Sequence, residues 1–232
     1  MKITCHQPYL FPHLGVFSKW QNADLMVWLD KTQYVKGHYS NRCKLGDGKW
    51  AIIPVKKAPL NTSFDEIEIH PSWHLTRLMD RIDQDYRDAF FTTAVLGSLY
   101  IHFNRWENLH SNSLSKLNIT LLRWAGRILN IPVTNLSQTE ILQDTIGADE
   151  RLIAICKHFH ADTYLSGPQG PKYMDREKWD AAGIKVEVCQ WKPAEYDRET
   201  RPWVPYMSVL DALCCEGPGT KDLLEAKVQL WI

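Results

Sequence analysis

The chain has 232 residues, of which 44% are hydrophobic, and its 27 basic residues balance 27 acidic ones. A chain of this size and composition buries enough apolar surface for one sizeable domain. The even charge argues against a general nucleic-acid or acidic-membrane surface, which normally shows an excess of Lys and Arg, but it leaves room for a local basic pocket that binds a phosphate.

The first ten residues, MKITCHQPYL, lack the apolar run of a secretory signal. No stretch of the chain reaches the roughly 20 consecutive apolar residues of a membrane span. The six cysteines form no CxxC pair. We therefore expect a cytoplasmic protein with reduced thiols, no membrane span and no metal site.

The first third of the chain predicts short strands separated by turns. A strand-like start at 1–4 is interrupted by Pro8 and Pro12, and a short helix over 16–21 follows Gly15. Apolar runs predict strands at 25–29 and 50–55, with a hairpin turn at 46–48 ahead of the second. Alternation of apolar and polar residues over 64–69 predicts a half-exposed strand.

The middle of the chain predicts helices. Apolar residues recur at helical spacing between 73 and 129, and no proline lies between Pro71 and Pro132. We expect two or three helices here. We interpret 72–130 as a helical insertion or subdomain of a single domain that spans 1–232.

The last hundred residues alternate between strand and helix. Strands are predicted at 132–135, 163–165 and 184–190, and helices at 149–158, 174–182 and 208–215, with a further turn at 221–224. Gly183 is a typical end signal for the helix at 174–182. The alternation predicts an α/β fold with a mixed or parallel sheet flanked by helices and the helical insertion in the middle of the chain.

Polar side chains follow the first two predicted strands. Ligands of α/β sheets gather at the carboxyl ends of strands, so we expect His6 to act as acid or base and Gln7 to donate to a carbonyl or oxyanion. Alternatively, a backbone carbonyl satisfies His6, and Gln7 ties the turn at Pro8. Asp30, at the end of the second strand, holds His6, binds an amino group or caps the next turn.

Asn41, Arg42 and Lys44 follow the segment GHYS. The planar fork of Arg42 suits a phosphate or carboxylate, and Lys44 nearby makes a nucleotide-sugar diphosphate a reasonable ligand. The alternative for Arg42 is a surface ion pair. Gln33, between Asp30 and this segment, is a further candidate for binding substrate.

The loop after the predicted strand at 163–165 contains Ser166 and Gly167, and its backbone N–H groups are suited to an anion. Ser166 lacks the GxSxG surroundings of an acyl nucleophile. Tyr173 either packs against the pocket or covers it. The ten Trp and nine Tyr residues indicate either packing or an aromatic-walled cleft for a sugar or nucleobase.

Two other pairs have structural explanations. Cys5 and His6 are neighbours on a strand and face opposite sides, which argues against a cooperating thiol and imidazole. Ser208 and Asp211 have the spacing of a capping box at the start of a helix, with Asp in place of Glu.

Several motifs resemble those of the WbqC-like protein family in family order along nearly the whole chain. They are HQPYLFPHLGVF, ADLMVWLDKTQY, NRCKL, IPV, ERLIAICKHFHADTYLSGPQGPKYMD, AGIKVEVCQW and MSVLDALCCEG. The residues that match the family pattern are Gln7, Pro8, Pro12, Gly15, Asp24, Asp30, Gln33, Asn41, Arg42, Ser166, Gly167, Tyr173, Ser208, Asp211 and Gly217. This chain departs from that pattern at His6, where Met is frequent, and at Lys31, where a second acidic residue often follows Asp30.

The resemblance implies a bacterial cytoplasmic protein of O-antigen or other surface-polysaccharide biosynthesis. Some family members are described as glycyl or aminoacyl transferases to amino sugars. We therefore expect an acyl or aminoacyl transferase that uses an acyl-thioester or aminoacyl donor and a small-molecule acceptor such as an amino-sugar nucleotide. The expected catalytic residues are His6, Gln7, Asp30 and Asn41, of which Gln7 and Asn41 are expected to stabilise the carbonyl oxygen as it gains charge. The expected substrate-binding residues are Gln33, Arg42, Lys44, Ser166, Gly167 and Tyr173.

Two alternatives remain open. One is a nucleotide-dependent enzyme similar to the HxGH nucleotidyltransferases, since FPHLG follows the first strand, although Val16 stands where the second His belongs. The other is a binding protein of the same pathway without catalytic activity.

Overall fold

The structure is a computed structural model that describes residues 1–107, 111–131, 134–138, 147–199 and 201–231, with the backbone alone at 104–107. Eight strands lie within these residues. They are β1 (Lys2–His6), β2 (Leu25–Trp28), β3 (Arg42–Leu45), β4 (Lys49–Ile52), β5 (Asn135–Ser137), β6 (Thr163–Ser166), β7 (Lys185–Trp191) and β8 (Ala226–Leu230). Seven α-helices accompany them in the same ranges: α1 (Leu14–Gln21), α2 (Thr76–Tyr86), α3 (Thr92–Glu107), α4 (Leu114–Ile128), α5 (Ala148–His158), α6 (Arg176–Ala182) and α7 (Val209–Glu216).

Six strands form one sheet in the order β5-β2-β1-β6-β7-β8. The first five are parallel, and β8 pairs antiparallel to β7 at the edge. The fold is therefore α/β with a mixed, mostly parallel sheet flanked by helices, which confirms the predicted fold class. The strands β3 and β4 form a separate hairpin, whose turn at 46–48 is confirmed by positive φ angles at Gly46 and Gly48.

The sheet separates two apolar cores. All four residues of β2 are buried, with Met26 and Trp28 in one core and Leu25 and Val27 in the other. This alternation follows from the period of two along a strand, and burial on both faces explains why β2 is a continuous apolar run. The first core contains α1, α2, α3, α4, α7 and the hairpin, and the second contains α5 and α6.

Three helices occupy the middle of the chain, as the periodicity predicts. Their buried residues, such as Leu78, Leu99 and Leu121, belong to the same core as Phe17 of α1 and Leu213 of α7. The interpretation of 72–130 as an insertion or subdomain stays a prediction. None of the helices in the described ranges is long and apolar enough to cross a membrane.

The predicted strand at 64–69 is wrong. Phe64–Glu66 is a 3₁₀ turn, and Phe64, Ile67 and Ile69 are all buried. The backbone that follows forms isolated bridges instead of a strand: Ile69 pairs with Val55, and Glu68 pairs with Ser113 just before α4. Ile69 N donates to Asn112 O at 2.8 Å, and Leu114 N donates to Ile67 O at 2.9 Å. The alternating pattern reflects this segment's packing over α4.

Other boundaries shift. The strand expected at 132–135 is β5, which begins at Asn135, and residues 132 and 133 lie outside the described ranges. The helix expected from 174 begins at Arg176, and Gly183 ends it with a φ of 70° as predicted. The edge strand β8 was not predicted, because its half-exposed residues become a strand only by pairing with β7.

The capping box predicted at the start of α7 is right for Ser208 and wrong for Asp211. The hydroxyl oxygen of Ser208 accepts from Leu210 N at 3.2 Å and caps the helix. Asp211 points instead toward Arg198, whose guanidinium donates to both of its carboxylate oxygens. The guanidinium gives the carboxylate two charge-assisted hydrogen bonds, whereas the cap would give it one.

Candidate active site at the sheet edge

The order of the strands places a crevice between β1 and β6. The chain adds β2 and β5 on one side of β1, and then β6 and β7 on the other, so the connections diverge at these two strands. Such a switch point is where open α/β sheets bind ligands, at the carboxyl ends of the strands. His6 ends β1 and Ser166 ends β6.

The two strands also separate toward this edge. β1 pairs with β6 only at Lys2 and Ile3, whereas its pairing with β2 continues to His6. Beyond Ile3, the hydroxyl of Thr4 reaches the Leu165 carbonyl at 2.7 Å. The crevice therefore opens at the carboxyl end, between the loops that carry the predicted site residues.

His6 stands at the mouth of the crevice as a neutral imidazole. Its Nδ1 lies 2.7 Å from the Gln7 carbonyl oxygen, so the tautomer with its hydrogen on Nδ1 donates there and leaves Nε2 as an acceptor. The Tyr9 ring packs edge-on at 4.7 Å. Burial, followed by the charge of Lys19, lowers the pKa of His6 to about 3. The carbonyl contact expected as the structural alternative is present, and it also orients the free nitrogen.

Gln7 joins two loops. Its Nε2 donates to the Thr32 hydroxyl at 2.8 Å, and that hydroxyl donates to the Leu29 carbonyl at 2.9 Å. Gln7 thus ties the loop after β1 to the loop after β2, rather than to the turn at Pro8. This contact uses one of the two amide hydrogens of Gln7.

Asp30 lies buried, with 3% of its surface exposed, just beyond the end of β2. Its backbone carbonyl accepts from Asp65 N at 2.9 Å. Next to it, Lys31 pairs with the Asp65 carboxylate at 2.8 Å, so the family departure at Lys31 is part of the packing of this loop. Gln33 is exposed and forms an isolated bridge with Ser63.

Asn41 is buried, and its available atom is an acceptor. Its Nδ2 donates to the Ile53 carbonyl at 2.8 Å, and Ile53 N donates back to the Asn41 carbonyl at 2.8 Å. Its Oδ1 is buried and has no partner in the described part of the chain. A buried acceptor is matched by an amine or hydroxyl donor, so this geometry suits a substrate N–H or O–H better than the oxyanion expected from the sequence.

Arg42 and Lys44 flank the indole of Trp50. The guanidinium carbon of Arg42 lies 4.2 Å, and Nζ of Lys44 5.6 Å, from the ring centroid. Within the residues that the structure describes, neither side chain forms an ion pair, and Nε of Arg42 is buried without a partner. Cation–π contact holds the two charges on one side of the hairpin, beside the same indole.

A series of aromatic rings connects Trp50 with His6. Trp50 contacts Tyr39 at 5.3 Å, Tyr39 stacks on Tyr9 at 5.8 Å, and Tyr9 contacts His6. His38 packs against Tyr9 at 5.1 Å, and burial together with the Arg42 charge lowers its pKa. The loops after β1 and β2 therefore form one continuous series of ring contacts between His6 and the hairpin.

The loop after β6 contributes backbone and shape. Ser166 is buried and its hydroxyl donates to the Gly167 carbonyl at 3.1 Å. A Cβ on Gly170 would lie 1.8 Å from that hydroxyl oxygen, so the loop folds tightly over Ser166. Tyr173 is 71% exposed. Burial of Tyr9, with a contribution from Tyr173, raises the pKa of Tyr9 to about 12. Tyr173 is therefore close enough to Tyr9 to act on its charge.

The family comparison agrees with the motifs along the chain. The model of the WbqC-like protein family matches residues 7–222. The chain belongs to the WbqC-like protein family. It is similar to the uncharacterized protein Rv1507c of Mycobacterium tuberculosis (strain ATCC 25618 / H37Rv), with 26% identity over 231 residues that cover 96% of this chain and 97% of that protein. No solved structure matches the chain significantly.

In this member of the WbqC-like family, a second aromatic cluster lies at the start of α1. The His13 Nδ1 accepts from Gly15 N at 3.1 Å, and its ring stacks on Trp191 at 5.5 Å while Tyr206 contacts it edge-on at 5.4 Å. Burial lowers the pKa of His13 to about 4. The adjoining pocket holds about 260 Å³ of empty space including its open mouth, and it is lined by Leu14, Trp191, Pro193, Ala194, Tyr196, Trp203, Val204, Tyr206 and Met207.

Sequence reasoning missed two polar residues near the candidate site, Asn118 and Lys19, and considered His13 only as part of FPHLG. Asn118 of α4 donates to the Pro8 carbonyl at 2.6 Å and the Ser40 carbonyl at 2.7 Å, and so joins the loops after β1 and β2. Lys19 is buried in α1, and His13 caps that helix. The signal for Asn118 is a polar residue inside the apolar spacing of α4, whereas nothing in the spacing of α1 distinguishes Lys19 from a solvent-facing lysine.

The described residues contain neither an activated thiol nor a cluster of metal ligands. All six cysteines are free. Burial raises the pKa of the Cys5 thiol well above its usual value, as expected for a core residue. The described ranges contain no group of three or more His, Cys, Asp or Glu side chains that could hold a metal ion.

Proposed function

We propose that this WbqC-like protein transfers an acyl or aminoacyl group to the amine of a nucleotide-linked amino sugar, or to a similar amine, in surface-polysaccharide or related biosynthesis. The pathway follows from what the family resemblance implies. The observation that carries the chemistry is the open Nε2 of His6 at the switch-point crevice, with its tautomer set by the Gln7 carbonyl.

The proposed reaction forms a C–N bond and breaks the C–S or C–O bond of the donor. The acceptor amine attacks the acyl carbon, His6 Nε2 accepts an amine proton, and that proton passes to the departing thiol or hydroxyl. Asp30 is the alternative base. The second amide hydrogen of Gln7 supports the carbonyl oxygen as it gains charge.

The acceptor is held by groups on the neighbouring loops. The buried Oδ1 of Asn41 supplies an acceptor for an N–H or O–H of the sugar. Arg42 and Lys44, beside Trp50, supply charge for the diphosphate. Gln33, Gly167 and Tyr173 border the same loops and complete the proposed binding surface.

The test incubates the purified protein with glycyl thioester or aminoacyl donors and nucleotide-linked 4-amino sugars, and measures the mass of the sugar. The wild type and the control His70→Gln, at an exposed position, are expected to add the mass of the acyl group. His6→Gln is expected to lose the activity while remaining folded. No mass change with any donor, together with an unchanged Tm in the presence of nucleotide sugars, contradicts the proposal.

A second candidate is a nucleotide-dependent enzyme of the nucleotidyltransferase kind. It is favoured by the position of His13, which caps the helix directly after the loop of β1 at a switch point of the type that binds nucleotides. A rise in Tm with ATP or CTP and the release of pyrophosphate from that nucleotide are expected for this candidate. Neither response is expected of a transferase that uses a preformed acyl donor.

A further inference from the structure

Lys19 is a buried cation without a carboxylate partner in the described part of the chain. Its side chain is 7% exposed, and Nζ donates to the Cys5 carbonyl at 2.8 Å. The other ionisable groups that act on it are the thiols of Cys5 and Cys189. Lysine is almost never buried unless it is paired, because removing an ammonium from water costs stability. A function is the usual reason to retain such a group.

The ammonium lies where β1 and β6 separate. The carbonyls of Lys2 and His6 accept from residues beside β2, so strand alternation directs the Cys5 carbonyl toward β6. β6 has already left β1 at this point, since their pairing ends at Ile3. The Lys19 ammonium takes the place of the missing strand partner, inside the switch-point crevice.

The direction of the side chain brings the charge to the carboxyl edge. α1 follows β1 and therefore begins at this edge, and side chains of a helix lean toward its N-terminus. Lys19 thus reaches from the sixth position of the helix back toward the loops that carry His6 and His13.

The groups around His6 are cationic or basic. Lys19 of α1, His13 at the cap of α1 and His38 of the loop after β2 all disfavour the charged form of His6. The charge of Arg42 has the same effect on His38. The lowered pKa values leave these imidazoles uncharged, so Lys19 is the member of this group that carries a positive charge, and the ligand that complements it is an anion.

We propose that a phosphate of the substrate binds in the crevice between Lys19 and His6. This inference rests on the proposed function, because it assigns the phosphate nearest the reacting amine to this position and the remaining phosphate to Arg42 and Lys44. The bound phosphate supplies the counter-charge that Lys19 lacks. It also raises the pKa of His6 from its low value of about 3, so His6 becomes a stronger base when substrate is present.

The first test compares Lys19→Met with the control Lys185→Met, which replaces an exposed lysine of β7. Binding of inorganic pyrophosphate and of uridine diphosphate is measured by calorimetry, with acetate as a carboxylate probe. Lys19→Met is expected to bind both phosphate probes about tenfold or more weakly than the wild type. It is also expected to have a higher Tm, because it no longer buries an unpaired charge. Lys185→Met is expected to bind as the wild type does. Lys19→Arg is expected to retain most of the affinity.

The second test uses the wild type alone. The pKa of His6 is measured by NMR with and without pyrophosphate, and it is expected to rise by at least about one unit on binding. Equal affinity in Lys19→Met and the wild type, an unchanged His6 pKa, or binding of acetate without pyrophosphate would overturn the inference and leave the transferase proposal standing. If the wild type binds neither phosphate probe, both proposals fail.

Discussion

One buried carboxylate joins three separate parts of the chain to α7. Asp211 accepts from Nη2 and Nε of Arg198 at 2.7 and 2.9 Å, from the Tyr86 hydroxyl at 2.8 Å and from the Tyr196 hydroxyl at 2.5 Å. Arg198 also donates to the Gly46 carbonyl in the hairpin turn. The side chains of Arg198 and Asp211 are 1% and 0% exposed. This network holds the segment between β7 and α7, which carries Tyr206, against the body of the protein.

We predict that Asp211→Asn destabilises the protein by about 3–5 kcal/mol, because it leaves the Arg198 guanidinium buried and without a counter-charge. The amide keeps the shape of the carboxylate, so the loss reflects charge and not a cavity. A total stability of about 5–15 kcal/mol is usual for a domain, so this single change removes a large share of it. The replacement of both partners, Arg198→Met with Asp211→Leu, is expected to cost less than Asp211→Asn alone, since no unpaired charge remains.

Urea unfolding followed by tryptophan fluorescence and circular dichroism measures these differences. The control is Asp180→Asn, which breaks a pair with Arg176 at 3.5 Å whose side chains are 70% and 52% exposed. That change is expected to cost about 0.5 kcal/mol or less. The reasoning fails if Asp211→Asn costs no more than Asp180→Asn, or if the double variant costs as much as Asp211→Asn alone.

Three further predictions follow from local contacts. Gly15→Ala is expected to destabilise the protein by about 1–3 kcal/mol, because the new Cβ would lie 2.6 Å from the Trp191 ring. Gly97→Ala, in open space within α3, is expected to stabilise it by about 0.5–1 kcal/mol. Urea unfolding of the two variants checks both signs. Asn118→Ala is expected to cost about 2–4 kcal/mol, because two buried carbonyls lose their donor, and a cost under about 1 kcal/mol would refute this. Burial lowers the pKa of Lys19 from 10.5 to about 8, so the unfolded chain binds more protons between these values and the free energy of unfolding rises with pH across that window. In a pH series of Tm, this gain should be smaller in Lys19→Met, and parallel curves for the two proteins would count against it.

Local patterns were sufficient for the elements that depend on nearby residues. The helices of the middle and the strand β2 were predicted because their apolar periods match their burial. The segment at 64–69 shows the limit of this approach: its alternation is typical of a strand, but its backbone pairs with the residues before α4. A partner so distant in the chain leaves no mark on the local pattern.

The sequence predicted which strand ends carry the polar residues of the candidate site, but not the buried charge beside them. The ends of strands indicated His6, Gln7 and Asp30, because polar groups after apolar runs are expensive unless they are used. Lys19 was missed, since a lysine on a short helix is ordinarily exposed. The sequence assigned Asn41 a donor's role, but its side-chain amide already donates to the Ile53 carbonyl.

The amino-acid sequence by itself determined the α/β class, the family and the polar character of the first fifty residues, since periodicity and motifs are properties of neighbours along a chain. The order β5-β2-β1-β6-β7-β8 was decided only by tertiary structure, and with it the gap between β1 and β6 and the burial of the Lys19 ammonium there. The physical reason is that burial and pairing are set by contacts between residues far apart in sequence, and these contacts decide whether a charge is solvated or left to attract a ligand.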